Sequence, residues 1–159
     1  MSFFQKKETS AENQSNQKKA EEQEKLSEDM LINLKKIEKS FSYPENNALR
    51  IRNLHLTKER KSITLLYIDG AADPKLINRY IISPILRLDG QNQGNKNTDF
   101  IFTLMTNVLV SANITKITTY HEMITNLLNG LTVILVDQES IAIAVNTVGF
   151  QNRSVPEPV

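Results

Sequence analysis

Cysteine and tryptophan are absent from the 159 residues, and glycine and proline number five each. Without cysteine there is no disulfide, no thiol nucleophile and no cysteine-ligated zinc, a usage compatible with a reducing compartment. The few glycines are scattered, so neither a Gly-x-Gly-x-x-Gly fingerprint nor a Walker phosphate loop can be assembled. No sign of charge prevails: 19 Lys and Arg stand against 18 Asp and Glu. A dedicated nucleic-acid binder needs a basic surplus, and none is expected here. No apolar run approaches the ~18 residues of a membrane-spanning helix. The stretch that opens Met1-Ser2-Phe3-Phe4 and runs into Lys6 and Lys7 lacks the apolar core of a secretory signal. The chain therefore reads as a soluble protein of intracellular type. Its length suits one domain, large enough to bury about two-thirds of its unfolded surface without a staple.

What is present falls into three stretches. Residues 1–26 read as a flexible polar tail, in which lysines alternate with glutamates and only Ala11 and Ala20 are apolar between Gln5 and Lys25. Such a composition buries too little to offset its ordering entropy. Residues 27–150 carry the folded pattern, and residues 151–159, with Pro156 and Pro158, read as an extended linker. Within the middle stretch, Ser27 opens a helix that runs from about Glu28 to Ser40, with Met30, Leu34, Ile37 and Phe41 on one stripe and Leu31 beside it. Ala48–Leu56 and Ser62–Ile68 form a hairpin, and the second of these strands is apolar on both faces. Asp73 caps the next helix, Pro74 occupies its first position, and Ser83-Pro84 ends or kinks it. Arg87 to Asn97 reads as a surface loop. Asp99–Val110 reads as a helix with a strand as the alternative, and Ile114–Thr118 as a short strand. Thr119-Tyr120-His121-Glu122 is a capping box, leading to a helix with Tyr120, Ile124, Leu127 and Leu128 on its face. Leu131–Val136 and Ile141–Val148 are two further apolar strands joined by a polar turn. The fold class is thus α/β: a mixed sheet of about five strands with helices packed on it. The two strand–helix steps predict some parallel pairing.

Candidates for chemistry are few. Asp69 and Asp137 each follow an apolar strand. On parallel neighbouring strands they would meet at one sheet edge, where a hard cation or a phosphate could sit and a magnesium-dependent enzyme could work. Ordinary turn chemistry accounts for the same residues. His55 and His121 are the only histidines, with no Gly-x-Ser-x-Gly elbow and no His-Glu-x-x-His. No enzyme, metal or cofactor is expected. Arg50, Arg52, Lys58, Arg60 and Lys61 form the densest basic run, a candidate membrane or partner surface, or else an edge strand kept soluble by charge.

The run Arg60–Gly70, reading Arg-Lys-Ser-Ile-Thr-Leu-Leu-Tyr-Ile-Asp-Gly, is followed by Asp73-Pro74-Lys75-Leu76-Ile77-Asn78 and then Ile81-Ile82-Ser83-Pro84-Ile85-Leu86. Thr118-Thr119-Tyr120, Asn129-Gly130 with the strand to Asp137, and Arg153–Pro158 come later in the same order. These blocks, spread over Glu28 to Val159, resemble the A subunits of bacterial spore germinant receptors, the GerA family. Two departures stand out: Pro156 where the family more often has an acidic residue, and an end at Val159 where family members continue into a second soluble lobe and membrane helices. The resemblance implies a non-enzymatic, cytosol-facing signalling and interaction domain at the spore inner membrane, coupling germinant sensing to germination. Its implied partners are the receptor's B and C subunits, other copies of the A subunit, and the membrane through the absent C-terminal part, with no nucleic acid. It also implies a likeness to lobes of solute-binding proteins, and hence a small-ligand-binding lobe as the alternative function. Asp69, Gly70 and Asp73 match the family motif, and with Asp137 they are the candidate ligand-binding residues. Shaping the strand-to-helix turn is the other role open to them.

Overall fold

The computed structural model describes residues 15–17, 19, 23–90 and 99–149. Most of the polar tail, the Gly- and Asn-rich stretch 91–98 and the proline-containing exit lie outside the described residues. Five strands form one sheet: β1 (Leu49–Leu56), β2 (Lys61–Ile68), β3 (Ile114–Ile117), β4 (Thr132–Val136) and β5 (Ala142–Val145). The helices are α1 (Met30–Ser40), α2 (Pro74–Ile77), α3 (Ser83–Gly90), α4 (Phe100–Thr103) and α5 (Tyr120–Leu128). Two π-helical turns, Asn78–Ile82 and Leu104–Val108, complete the helical runs.

The strand order is β1-β2-β4-β5-β3, and every neighbouring pair is antiparallel. The α/β class and the five strands expected from the sequence are present, as are both hairpins. The expected parallel pairing is not, and the reason lies in the crossover. The unit β3–α5–β4 does leave β3 and β4 running the same way, but β5 inserts between them and pairs with both. The step from β2 leads away through α2, α3 and α4 to β3 at the far edge, so β2 acquires β4 as an antiparallel neighbour.

Helices cover both faces of this sheet, which is why the central strands are apolar without alternation. Ile63 and Leu65 of β2, Ile134 of β4 and Ile143 of β5 pack on Ile77, Ile81, Ile85 and Leu104 from the α2–α4 layer. Leu66, Val133, Leu135 and Ala144 face the other way, onto Ile37 of α1 and Met123 and Leu127 of α5. Each fully buried Val, Leu, Ile or Met among them contributes about 1.5–3 kcal/mol through burial.

Local signals place the ends of the helices. Asp29, not Ser27, caps α1: its carboxylate accepts from Leu31 N–H at 2.9 Å, while Ser27 Oγ accepts from Asp29 N–H at 3.1 Å. The packed chain starts earlier than composition suggests. Leu26 is buried, its N–H donates to Thr118 O at 2.9 Å, and Tyr120 N–H donates to Glu24 O at 3.0 Å. Asp99 caps α4, so the expected helix from Asp99 forms, and it continues through the second π turn to Val108. On α5 the buried face is Tyr120, Met123 and Leu127, whereas Leu128 is exposed.

The capping box at Thr119 is complete. Glu122 Oε2 accepts from the N–H groups of Thr118 at 2.8 Å and Thr119 at 3.1 Å, and Thr119 Oγ1 accepts from Glu122 N–H at 3.2 Å. Hydrogen bonding from Thr118 N–H, then from Thr119, holds the Glu122 carboxyl below its ordinary value. A depressed carboxyl pKa adds stability above the unfolded value, and that stability is lost as pH falls through the folded one. Glu122→Gln is therefore expected to lower the melting temperature at pH 7. The gap between the two proteins should shrink as pH falls through and below the ordinary glutamate value of about 4.3. Paired thermal melts across pH 2.5–7 (roughly the range that brackets that value) check it, and a gap that does not change with pH would contradict it.

Candidate functional site

Three blocks far apart in sequence meet where β2 ends and β4 begins. After Ile68 the chain turns sharply, with Ala71 and Ala72 N–H both donating to Ile68 O at 3.2 and 3.0 Å. Gly70 adopts φ +82°, a left-handed conformation that glycine accepts without a Cβ penalty. Asp73 then caps α2 by accepting from Lys75 N–H at 2.8 Å. The strand-to-helix turn is held from outside by the segment after β5. Asp73 N–H donates to Thr147 O at 2.7 Å, and Gly149 N–H donates to Ala71 O at 3.3 Å. Gly130 approaches from a third direction at φ +83°, and a Cβ there would lie 3.2 Å from Ala71 O. Beneath them the buried hydroxyls of Thr132 and Thr147 share a hydrogen bond of 2.7 Å.

The carboxylates expected from the sequence are not brought together. Because β2 and β4 are antiparallel, Asp69 lies at one end of the sheet and Asp137 at the other, where Asp137 N–H donates to Ser62 O at 2.9 Å. Seven residues of strand separate the two ends, roughly 20 Å or more. The Asp69 carboxylate is taken by Arg50 across the hairpin at 2.6 Å. That hydrogen bond lowers the Asp69 pKa and raises that of Arg50. Among the described residues no group of three or more His, Asp or Glu is placed to hold a metal. His55 Nδ1 lies 3.1 Å from Ser62 Oγ on the exposed hairpin, and His121 is exposed on α5.

The basic run does not form one patch either. Arg50 is paired with Asp69 at the turn end of the sheet. At the hairpin end the Lys58 backbone N–H donates to Asp89 Oδ1 at 2.9 Å, and Lys58 Nζ donates to Gly90 O at 3.2 Å. Lys61 lies 3.4 Å from Glu139 and sits over the Phe100 ring. Charges read as one cluster in the sequence are thus divided between the two ends, and three of the five have partners.

A feature that sequence reasoning missed lies beside the turn, where β5 ends and β3 begins. Asn146 N–H donates to Asn113 O at 3.1 Å, and with Tyr80, Leu109, Val110 and Ser111 these residues line an open cleft of about 640 Å³. The signal that could have found it is Pro84. Lacking an N–H, Pro84 cannot bond to the carbonyl four residues earlier, that of Tyr80. The helix passes this point through a π turn, and the freed Tyr80 O accepts from Val110 N–H at 3.3 Å. Proline thereby ties the first helical run to the end of the second, and the cleft opens at that junction.

Fold and site define a layered α/β lobe with a hydrogen-bonded turn and an uncharged cleft at one sheet end. A model of the Bacillus/Clostridium GerA spore germination protein family matches residues 35–159. The chain belongs to that family. Spore germination protein GerLA of Bacillus cereus is 27% identical over 113 residues, which cover 71% of this chain and 22% of that protein. In fold the chain resembles the N-terminal domain of the A subunit of the Bacillus megaterium spore germinant receptor GerK3, with a TM-score of 0.61 and 19% identity. That likeness covers 79% of this chain and 49% of the other, so the chain spans about half of the solved domain it matches.

Proposed function

We propose that this chain is the first lobe of the N-terminal region of a germinant receptor A subunit, acting as a non-enzymatic signalling and interaction domain. The observation that carries the reading is the family match over residues 35–159. The fold likeness to part of a receptor A-subunit domain supports it. On this reading residues 151–159 lead into a second lobe and a membrane-embedded remainder. The lobe faces the cytosol at the spore inner membrane and works with the B and C subunits and with other A subunits. Asp69, Gly70 and Asp73 then serve to build the turn, and a phosphatase or esterase screen is expected to stay at background.

Immunoblotting of fractionated dormant spores tests the assignment. A band far heavier than 18.1 kDa in the inner-membrane fraction is expected. A soluble band at the chain's own mass would overturn it. The structural part of the proposal has its own test. Asp73→Ala removes the α2 cap and is expected to cost about 1 kcal/mol. In the intact receptor it should slow germination, whereas Asp73→Asn, which keeps a capping oxygen, should stay close to wild type. Normal stability and normal germination of the alanine variant would count against a structural role for this turn.

A second reading, a small-ligand-binding lobe, is favoured by one observation, the cleft beside the turn.

A further inference from the structure

We propose that the outer edge of β1 accepts an extended segment of another protein as a further, antiparallel strand, one in which acidic residues alternate with apolar ones. The proposal goes beyond the receptor reading and does not depend on it. β1 ends the strand order, with no neighbour on its outer side among the described residues. Its eight residues pair with β2 one for one, from Leu49 opposite Ile68 to Leu56 opposite Lys61, with no bulge and no proline. Asp69 N–H donates to Ala48 O at 2.8 Å, which fixes the alternation: Arg50, Arg52, Leu54 and Leu56 turn their backbone groups to β2. The N–H and C=O groups of Leu49, Ile51, Asn53 and His55 therefore face outward, a template for strand addition. The opposite edge differs, since β3 has only four residues and Lys25 pairs with Thr119 just beyond its end.

The side chains along the edge select the partner. Arg50 and Arg52 are exposed and share a face with Leu54 and Leu56, which pack on the α2–α4 layer. Asp69 holds Arg50, whereas Arg52 has no hydrogen bond or ion pair among the described residues. On the other face Leu49 is buried and Ile51 half-buried in the core that α1 covers. An antiparallel newcomer would set acidic side chains opposite Arg50 and Arg52, and apolar ones opposite Leu49 and Ile51, extending that core. A second copy of this chain fits worse. Antiparallel pairing of two β1 edges centred on Ile51 sets Arg50 of each copy opposite Arg52 of the other, and like charges directly opposite are destabilising. Charge commonly guards an edge strand. Here the guard is of one sign, so it turns away basic strands and admits acidic ones.

The test is a titration of the 159-residue chain, followed through its backbone amide NMR signals. The probe is a peptide of alternating Glu and Val as long as β1, eight residues, and its control alternates Lys and Val. The acidic peptide is expected to cause saturable shifts along β1 and to slow hydrogen exchange at the amides of Leu49, Ile51, Asn53 and His55. The basic peptide should bind about tenfold more weakly, or less. Arg52→Gln should weaken the acidic peptide about threefold and leave the melting temperature unchanged, because that side chain has no partner to lose. Methylating the backbone nitrogens of the valines, which donate to the edge, should abolish binding. Methylating those of the glutamates, which point away from β1, should leave it within about threefold. Equal binding of the acidic and basic peptides, or equal loss from either methylation, would overturn the proposal, as would the absence of saturable shifts along β1. A dimer of the free chain with those outward amides already protected would overturn it too, because a second copy would then hold the edge. None of these outcomes touches the receptor assignment, which the spore fractionation tests.

Discussion

Asn33→Ala is expected to destabilise the lobe by about 3 kcal/mol, a large share of the 5–15 kcal/mol that domains typically possess. Asn33 is 1% exposed on the inner face of α1. Its Nδ2 donates to Ser27 O at 2.7 Å, and its Oδ1 accepts from Ser27 N–H at 2.9 Å and from the Tyr120 hydroxyl. One side chain therefore satisfies the backbone leading into α1 and a buried phenol on α5. Alanine would strand these groups away from water, and leaving a buried polar group unpaired costs more than the bond itself contributed. Tyr120→Phe removes only one of the three bonds and should cost about 1 kcal/mol. Urea unfolding of both variants checks the pair. A loss under about 1 kcal/mol for Asn33→Ala would mean that water enters and replaces the network.

Gly130→Val is expected to cost about 3 kcal/mol, through two effects that a control separates. The residue sits at φ +83°, where a side chain carries a penalty of about 1–2 kcal/mol, more when β-branched. Its Cβ would also press on Ala71 O at 3.2 Å, and that carbonyl already accepts from Gly149 N–H. Gly70 has nearly the same φ, but nothing lies within 4 Å of the position its Cβ would take. Gly70→Ala should therefore show the conformational cost alone, about 1–2 kcal/mol. The amide signals of Ala71, Asp73 and Gly149 are expected to shift in Gly130→Val and to stay in place in Gly70→Ala. Equal destabilisation at both glycines would show that the approach to Ala71 carries no weight.

Much of the secondary structure was legible because its causes are local. The capping box at Thr119 and the Asp73-Pro74 start form within a single turn, and both appear where the residue types place them. The double-sided apolar runs of β2 and β4 reported a sheet covered on both faces, and helices do cover both. The candidate site was less legible. Asp69 and Asp137 look alike in sequence, each closing an apolar strand. Their separation depends on β2 and β4 being antiparallel, which no residue near either aspartate encodes. Asn33 reads as an ordinary polar position on α1 until Tyr120, 87 residues later, is placed against it. Pro84 announced a disturbance in its helix, but what fills the freed carbonyl of Tyr80 comes from Val110.

By itself the sequence determined the α/β class, the two hairpins, most helix starts and the family likeness, because periodicity, caps and turn residues act over a few neighbouring positions. Tertiary structure alone decided which strands became neighbours, the division of the basic run between two ends of the sheet, the burial of Asn33 and the cleft at the π turns. Each of those depends on contacts between residues distant in the chain, whose pairing is set by how the layers pack together and not by any local preference.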